Sequence, residues 1–155
     1  MMMYRRFAVL LFAACFLLAC DRLPTSPVPS APVYFEINLN YEDSDLVPAL
    51  AAKSFTKPRK ATDRGLGFGG ILVVHGYNSN GVLDYLAYDL ACPYEVDRNV
   101  IVVPDSEGKA RCPKCGSVYI TMWGMGTPEG QSVSKYPLRW YRIRTTGDNV
   151  FVVFN

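Results

Sequence analysis

From Val33 onward the apolar residues fall mostly on every second position, in short runs cut by Gly, Asn, Asp and Pro. An extended backbone turns alternate side chains to opposite faces, so such a run buries one side of a sheet, whereas a helix needs a repeat of three or four. The pattern predicts an all-β domain with strands over 33–38, 71–76, 83–89, 96–103, 117–122, 138–144 and 150–154. Asn78-Ser79-Asn80-Gly81 and Thr146-Gly147-Asp148-Asn149 lie between strand-like runs and suit hairpin connections. The segment 45–55 has room for a short helix, against which Pro48 stands.

The first nineteen residues belong to a different kind of segment. Arg5 and Arg6 precede an apolar run of 13 residues, 7–19, which is too short to span a bilayer at helical rise. The run closes on Leu17-Leu18-Ala19-Cys20, and it resembles a bacterial lipoprotein signal whose cysteine is acylated and becomes the mature N-terminus. The resemblance implies anchorage to the membrane through lipid on Cys20, at the periphery of the bacterial cell envelope on its periplasmic or surface side. After Cys20, the stretch 21–32 has four prolines in twelve residues, which predicts an extended tether of about 3.1 Å per residue, with the domain occupying 33–155.

Without residues 1–19 the chain has 14 basic and 14 acidic residues, a balance that argues against nucleic acid as a partner. Two motifs fail on context. Gly65-Leu66-Gly67-Phe68-Gly69-Gly70 spells a phosphate-loop pattern but precedes a strand instead of following one, and reads as a flexible lead-in. The basic cluster Lys53, Lys57, Arg59, Lys60 and Arg64 reads as a solvated loop, with anionic headgroups as the alternative contact. The single histidine, His75, sits inside a predicted strand, so no Ser, His and Asp set can form and self-sufficient enzyme chemistry is not expected.

The remaining chemistry lies in three thiols, Cys92, Cys112 and Cys115, an odd number that leaves at least one without a disulfide partner in the domain. Cys112-Pro113-Lys114-Cys115-Gly116 is a knuckle that turns two sulfurs toward one point. Its opposite number, Cys92-Pro93-Tyr94-Glu95, supplies only one sulfur, so a four-thiolate site cannot close.

These two loops, with Gly116-Ser117-Val118-Tyr119 after the second and Gly130, Pro137-Leu138 and Tyr141 beyond, resemble the Rieske [2Fe-2S] proteins. The resemblance implies an antiparallel sandwich carrying two metal-site loops. It places Cys92 and Cys112 at the positions of the cluster cysteines, and Tyr94 and Cys115 where the family has its two histidines. Tyr119, with Gly116 and Ser117, falls where the family has supporting groups, Tyr119 as a hydrogen-bond partner of a cluster cysteine. Lys114 and Asp97 fall where some members have a disulfide joining the loops.

Neutral imidazoles hold a Rieske centre at about −150 to +300 mV, against about −400 mV for an all-cysteine cluster, so a thiolate at 115 predicts a lower potential. Tyr94 would have to lose a proton of pKa about 10 to become the fourth ligand. Glu95 has the i, i+3 spacing of a knuckle and would complete a Cys3Glu site suited to zinc. Three states stay open: a [2Fe-2S] cluster in electron transfer, a zinc site, and a metal-free domain with two thiols joined as a disulfide that acts in structure or binding; disulfide exchange by redox-active thiols is a lesser fourth. The loop 122–131, with Met122, Trp123 and Met125, is the candidate contact for an envelope redox or assembly protein; otherwise Trp123 packs over the loops as core. Cys20→Ala is expected to move the protein from the detergent phase to the aqueous phase in a phase-partition assay.

Overall fold

Ile71-Leu72-Val73-Val74 has no polar position at all, and a strand of that kind needs cover on both faces. In the computed structural model, which describes residues 24–155, it has that cover. The chain forms β1 (Tyr34–Asn38), a 3-10 turn (Ser44–Leu46), β2 (Ala52–Phe55), β3 (Ile71–Tyr77), β4 (Leu83–Asp89), β5 (Val103–Pro104), β6 (Lys109–Arg111), β7 (Val118–Ile120), β8 (Thr127–Pro128), β9 (Trp140–Gly147) and β10 (Val150–Phe154). One antiparallel sheet runs β1-β10-β9-β4-β3-β2 and a smaller one β5-β6-β7-β8.

Ile71 and Val73 face a core with Phe35, Ile37, Phe55, Tyr85 and Val153; Leu72 and Val74 face another with Tyr88, Leu90, Tyr119 and Leu138. The second core also contains Cys92 and Cys112. The thiol loops are thus rooted in the hydrophobic layer that the small sheet covers. The domain is all-β, as the alternation predicts, and no α-helix is present among the described residues.

Several expectations change. Residues 96–103 do not form a strand; Val96 has φ 50°, and only Val103–Pro104 joins a sheet. In the 45–55 segment, helix formation stops after the single turn Ser44–Leu46, and the chain goes on as β2. The short strands β5, β6 and β8 carry too few residues for a period to show. Both predicted hairpins are present: Gly81 N–H donates to Asn78 O at 2.9 Å, and Asn149 turns the β9–β10 connection with φ 59°.

The predicted signal and Cys20 lie outside the described residues. The end of the predicted tether lies on the domain: Val28 is fully buried, and its carbonyl accepts from Arg139 Nε at 2.6 Å. An extended proline-rich strand leaves its carbonyls free for such capture.

The glycine motif is not flexible either. Asp89, fully buried, accepts from Phe68 N–H at 2.6 Å, Gly69 N–H at 3.0 Å, Ala91 N–H at 2.7 Å and the Tyr141 hydroxyl. A Cβ on Gly67 would stand 2.1 Å from the Tyr141 oxygen, so the backbone approaches where no side chain fits.

The basic cluster is largely consumed in ion pairs. Arg59 grips the buried Asp43 with both terminal nitrogens, at 2.7 and 2.9 Å, and lies over the Phe35 and Phe55 rings. Lys53 pairs with Asp43 and Asp45, and Lys60 with Glu36 and Glu42. Burial pushes the Asp43 carboxyl up, but Arg59, the Asn38 N–H and Lys53 together hold it below the usual range.

A depressed carboxyl contributes stability that is complete above the unfolded pKa and is lost as pH falls through the folded one. Asp43→Asn is therefore expected to cost about 3 kcal/mol near neutral pH. In urea melts the gap to the native protein should shrink steadily from about pH 5 to about pH 2.

Candidate metal centre

Each cysteine loop leaves a paired segment, makes one tight turn and returns. Loop one follows β4: Val102 N–H donates to Leu90 O at 2.8 Å and Cys92 N–H to Val100 O at 3.0 Å. Loop two joins β6 to β7, with Cys112 N–H donating to Ser117 O at 2.9 Å. Proline after each lead cysteine fixes φ at a value that starts a turn, and the turn then closes. It does so on the lead carbonyl, which accepts from the N–H four residues on, Val96 at 2.9 Å and Gly116 at 3.0 Å.

The result brings three sulfurs together. Cys92, Cys112 and Cys115 have their Sγ atoms within 4.8 Å of one another, and Cys92 and Cys115 are 3.7 Å apart. Three thiols this close could hold a metal ion. Cys92 and Cys112 are fully buried and Cys115 is half-buried, so the cluster opens to solvent on the Cys115 side.

The surroundings treat the thiols unequally. Burial pushes the Cys112 thiol up to about 11 despite the N–H groups of Cys115 and Lys114 that approach it. Burial also acts on Cys115, but the Ser117 hydroxyl, 3.2 Å from its sulfur, and the Ser117 N–H outweigh it and hold this thiol below its ordinary value. Ser117 is itself buried and accepts from Ser134 N–H at 3.1 Å.

Tyr119, fully buried, places its hydroxyl 3.3 Å from Cys92 Sγ, the contact implied by the family resemblance. Burial and the neighbouring Cys92 keep the phenol protonated far above neutral pH. Gly116 has φ 73° and open space where a Cβ would be, so it serves the turn and not the packing.

The two candidates for a fourth ligand stand apart from the cluster. Tyr94 is 56% exposed, and no hydrogen bond ties it to a sulfur among the described residues. Glu95 makes an ion pair of 2.7 Å with Lys114 of the other loop. Lys114 thus joins the loops by charge, through Glu95 and not through Asp97, the position with which the resemblance pairs it.

His75 stays in β3, stacked on Tyr85 with centroids 4.4 Å apart and Nδ1 2.8 Å from Val47 O. Trp123 does not pack over the thiols as core; it is half-exposed against Tyr77, with centroids 5.1 Å apart. The sequence reading missed Ser134 and the Arg111 guanidinium that donates to Gly116 O at 3.2 Å. Neither belongs to a motif, and only tertiary folding brings Ser134 to the loop.

With its lower pKa and partial exposure, Cys115 is the thiolate available to reagents. Iodoacetamide on the folded, metal-free protein near pH 7.5 (on the order of the thiol range) is expected to label Cys115 first by peptide mass spectrometry, with Cys112 labelled only on unfolding. No family model, curated protein or solved structure matches this chain, and the site is therefore read from its own geometry and chemistry.

Proposed function

We propose that this chain is a lipid-anchored protein of the bacterial cell envelope whose Rieske-like domain holds one thiolate-bound zinc ion as a structural and binding module, not as an electron carrier. The observation that carries the reading is the spacing of the sulfurs. Zinc bonds of about 2.3 Å at tetrahedral angles set two sulfurs about 3.8 Å apart, and Cys92 and Cys115 are 3.7 Å apart. In a Rieske arrangement the residue at 115 would bind the second iron, on the far side of the cluster from the lead cysteines. A sulfur 3.7 Å from Cys92 suits one shared ion instead.

Zinc fits the donors, since soft thiolates favour it and it brings no redox chemistry of its own. Its part would be to draw two loops onto one point and fix the surface they present. A second reading, a [2Fe-2S] cluster in electron transfer, is supported by the two-loop frame and by the Tyr119 hydroxyl on Cys92. In either case the Cys20 anchor would keep the domain at the membrane, within reach of an envelope partner.

Metal analysis and absorption spectra of the full chain purified from membranes test this. The expected result is one zinc per chain and no visible band, with binding abolished by Cys112→Ser. At a free zinc concentration about 100 times Kd, the gain in unfolding free energy over the chelated protein should be about 2.7 kcal/mol. A visible band with an EPR signal on reduction would replace this reading with the second. Folded protein with three reduced thiols and no metal under any loading would end both.

A further inference from the structure

The two thiol loops are copies of one turn. In both, the residue four after the lead cysteine takes a left-handed backbone, φ 73° at Gly116 and 50° at Val96. Glycine does this at no steric cost, but a β-branched valine there is a true outlier, held by what surrounds it. In loop two this conformation closes the knuckle that turns Cys115, three residues after the lead, back toward the shared point. The residue at the same place in loop one is Glu95.

Glu95 is also where a ligand should be. Its side chain is only 12% exposed, on a loop that is otherwise largely exposed from 94 to 99. Its carboxylate reaches across to Lys114, one of the two residues between the cysteines of the other knuckle. An acid is thus set on a strained turn at the place in loop one that Cys115 holds in loop two, outside the group of sulfurs in the metal-free chain and held by one ammonium group, itself 62% exposed.

We propose that Glu95 is the fourth ligand of a Cys3Glu site for a divalent zinc-like ion, and that Lys114 is its resting partner in the metal-free protein. The inference rests on the metal-binding reading above. As the ion binds, the three thiols release their protons to solvent, the carboxylate exchanges the ammonium for the metal, and Lys114 swings outward still protonated. Tyr94, exposed on the same turn, takes no part.

Cobalt(II) titration of the full chain, read by absorption and by competition with a chromophoric chelator, tests the assignment in Glu95→Gln, Lys114→Gln and Glu95→Cys. Glu95→Gln should weaken cobalt binding by about tenfold or more and change the d–d bands. Lys114→Gln, which breaks the same ion pair but keeps the carboxylate, should bind at least as tightly as the native chain. Glu95→Cys should bind more tightly and show a stronger sulfur-to-cobalt band. If Glu95→Gln does not fold, Glu95→Ala, which also removes the carboxylate, gives the same readout.

Native affinity and native d–d bands in Glu95→Gln would overturn the assignment. So would equal weakening by Lys114→Gln, which would reduce Glu95 to a link between loops. If Glu95→Cys bound cobalt and the native chain did not, the fourth ligand would be refuted while the thiol site stood. If neither bound it with all thiols reduced, the metal reading itself would fall.

Discussion

One buried carboxylate organises the part of the molecule that carries the thiols. Asp89 ends β4 three residues before Cys92, and its two oxygens accept from Phe68, Gly69, Ala91 and Tyr141. A buried carboxylate is tolerated only when its lone pairs are met, and here they are met by three separate segments. The glycine-rich approach to β3, the end of β4 and the start of β9 are therefore fixed against one another at the root of loop one. Arg98, on the far limb of that loop, lies over the Phe68 ring at 5.1 Å, so the loop is held at both ends by the same segment.

This root fixes the thiol cluster at the edge of a largely apolar layer, with Cys92 and Cys112 inside its packing and Cys115 at its margin. Cys92 and Cys112 are surrounded by Tyr88, Leu90, Val102, Ala110 and Leu138, an environment that disfavours thiolate and, at Cys112, raises the pKa. The Ser117 hydroxyl and N–H work the other way at Cys115. The cluster is thus graded from an inert interior to a reactive edge. A cation entering from that edge meets the easiest thiolate first, and its own charge then lowers the cost of ionising the others.

The elements legible in the sequence are those whose signal is local. Five to seven residues of alternation or continuous apolarity suffice for β3, β4 and β10, and turns built on Asn, Asp and Gly mark the hairpins at 78–81 and 146–149. The strands that escaped, β2, β5, β6 and β8, have two to four residues each, too few to show a period, although β5, β6 and β8 pair with strands close by in the chain. The hydrogen-bonded glycine motif and the ion pairs of Lys53, Arg59 and Lys60 escaped for a related reason, while Lys57 and Arg64 lie exposed on a loop as the sequence predicts. Nothing near Gly67 in sequence announces that Tyr141 will stand over it, and nothing near Arg59 announces a buried Asp43.

The sequence by itself determined the β class, the set of three thiols and their division between two Cys-Pro turns, because alternation, proline and cysteine act on the backbone within a few residues. Only the tertiary structure decided that the three sulfurs converge within 4.8 Å, that Tyr119 and Ser117 attend them, and that Glu95 rests on Lys114. Those relations join residues up to 27 positions apart. They arise from how two sheets close over one core and from the way a shared buried acid anchors the loop between them, which no local pattern encodes.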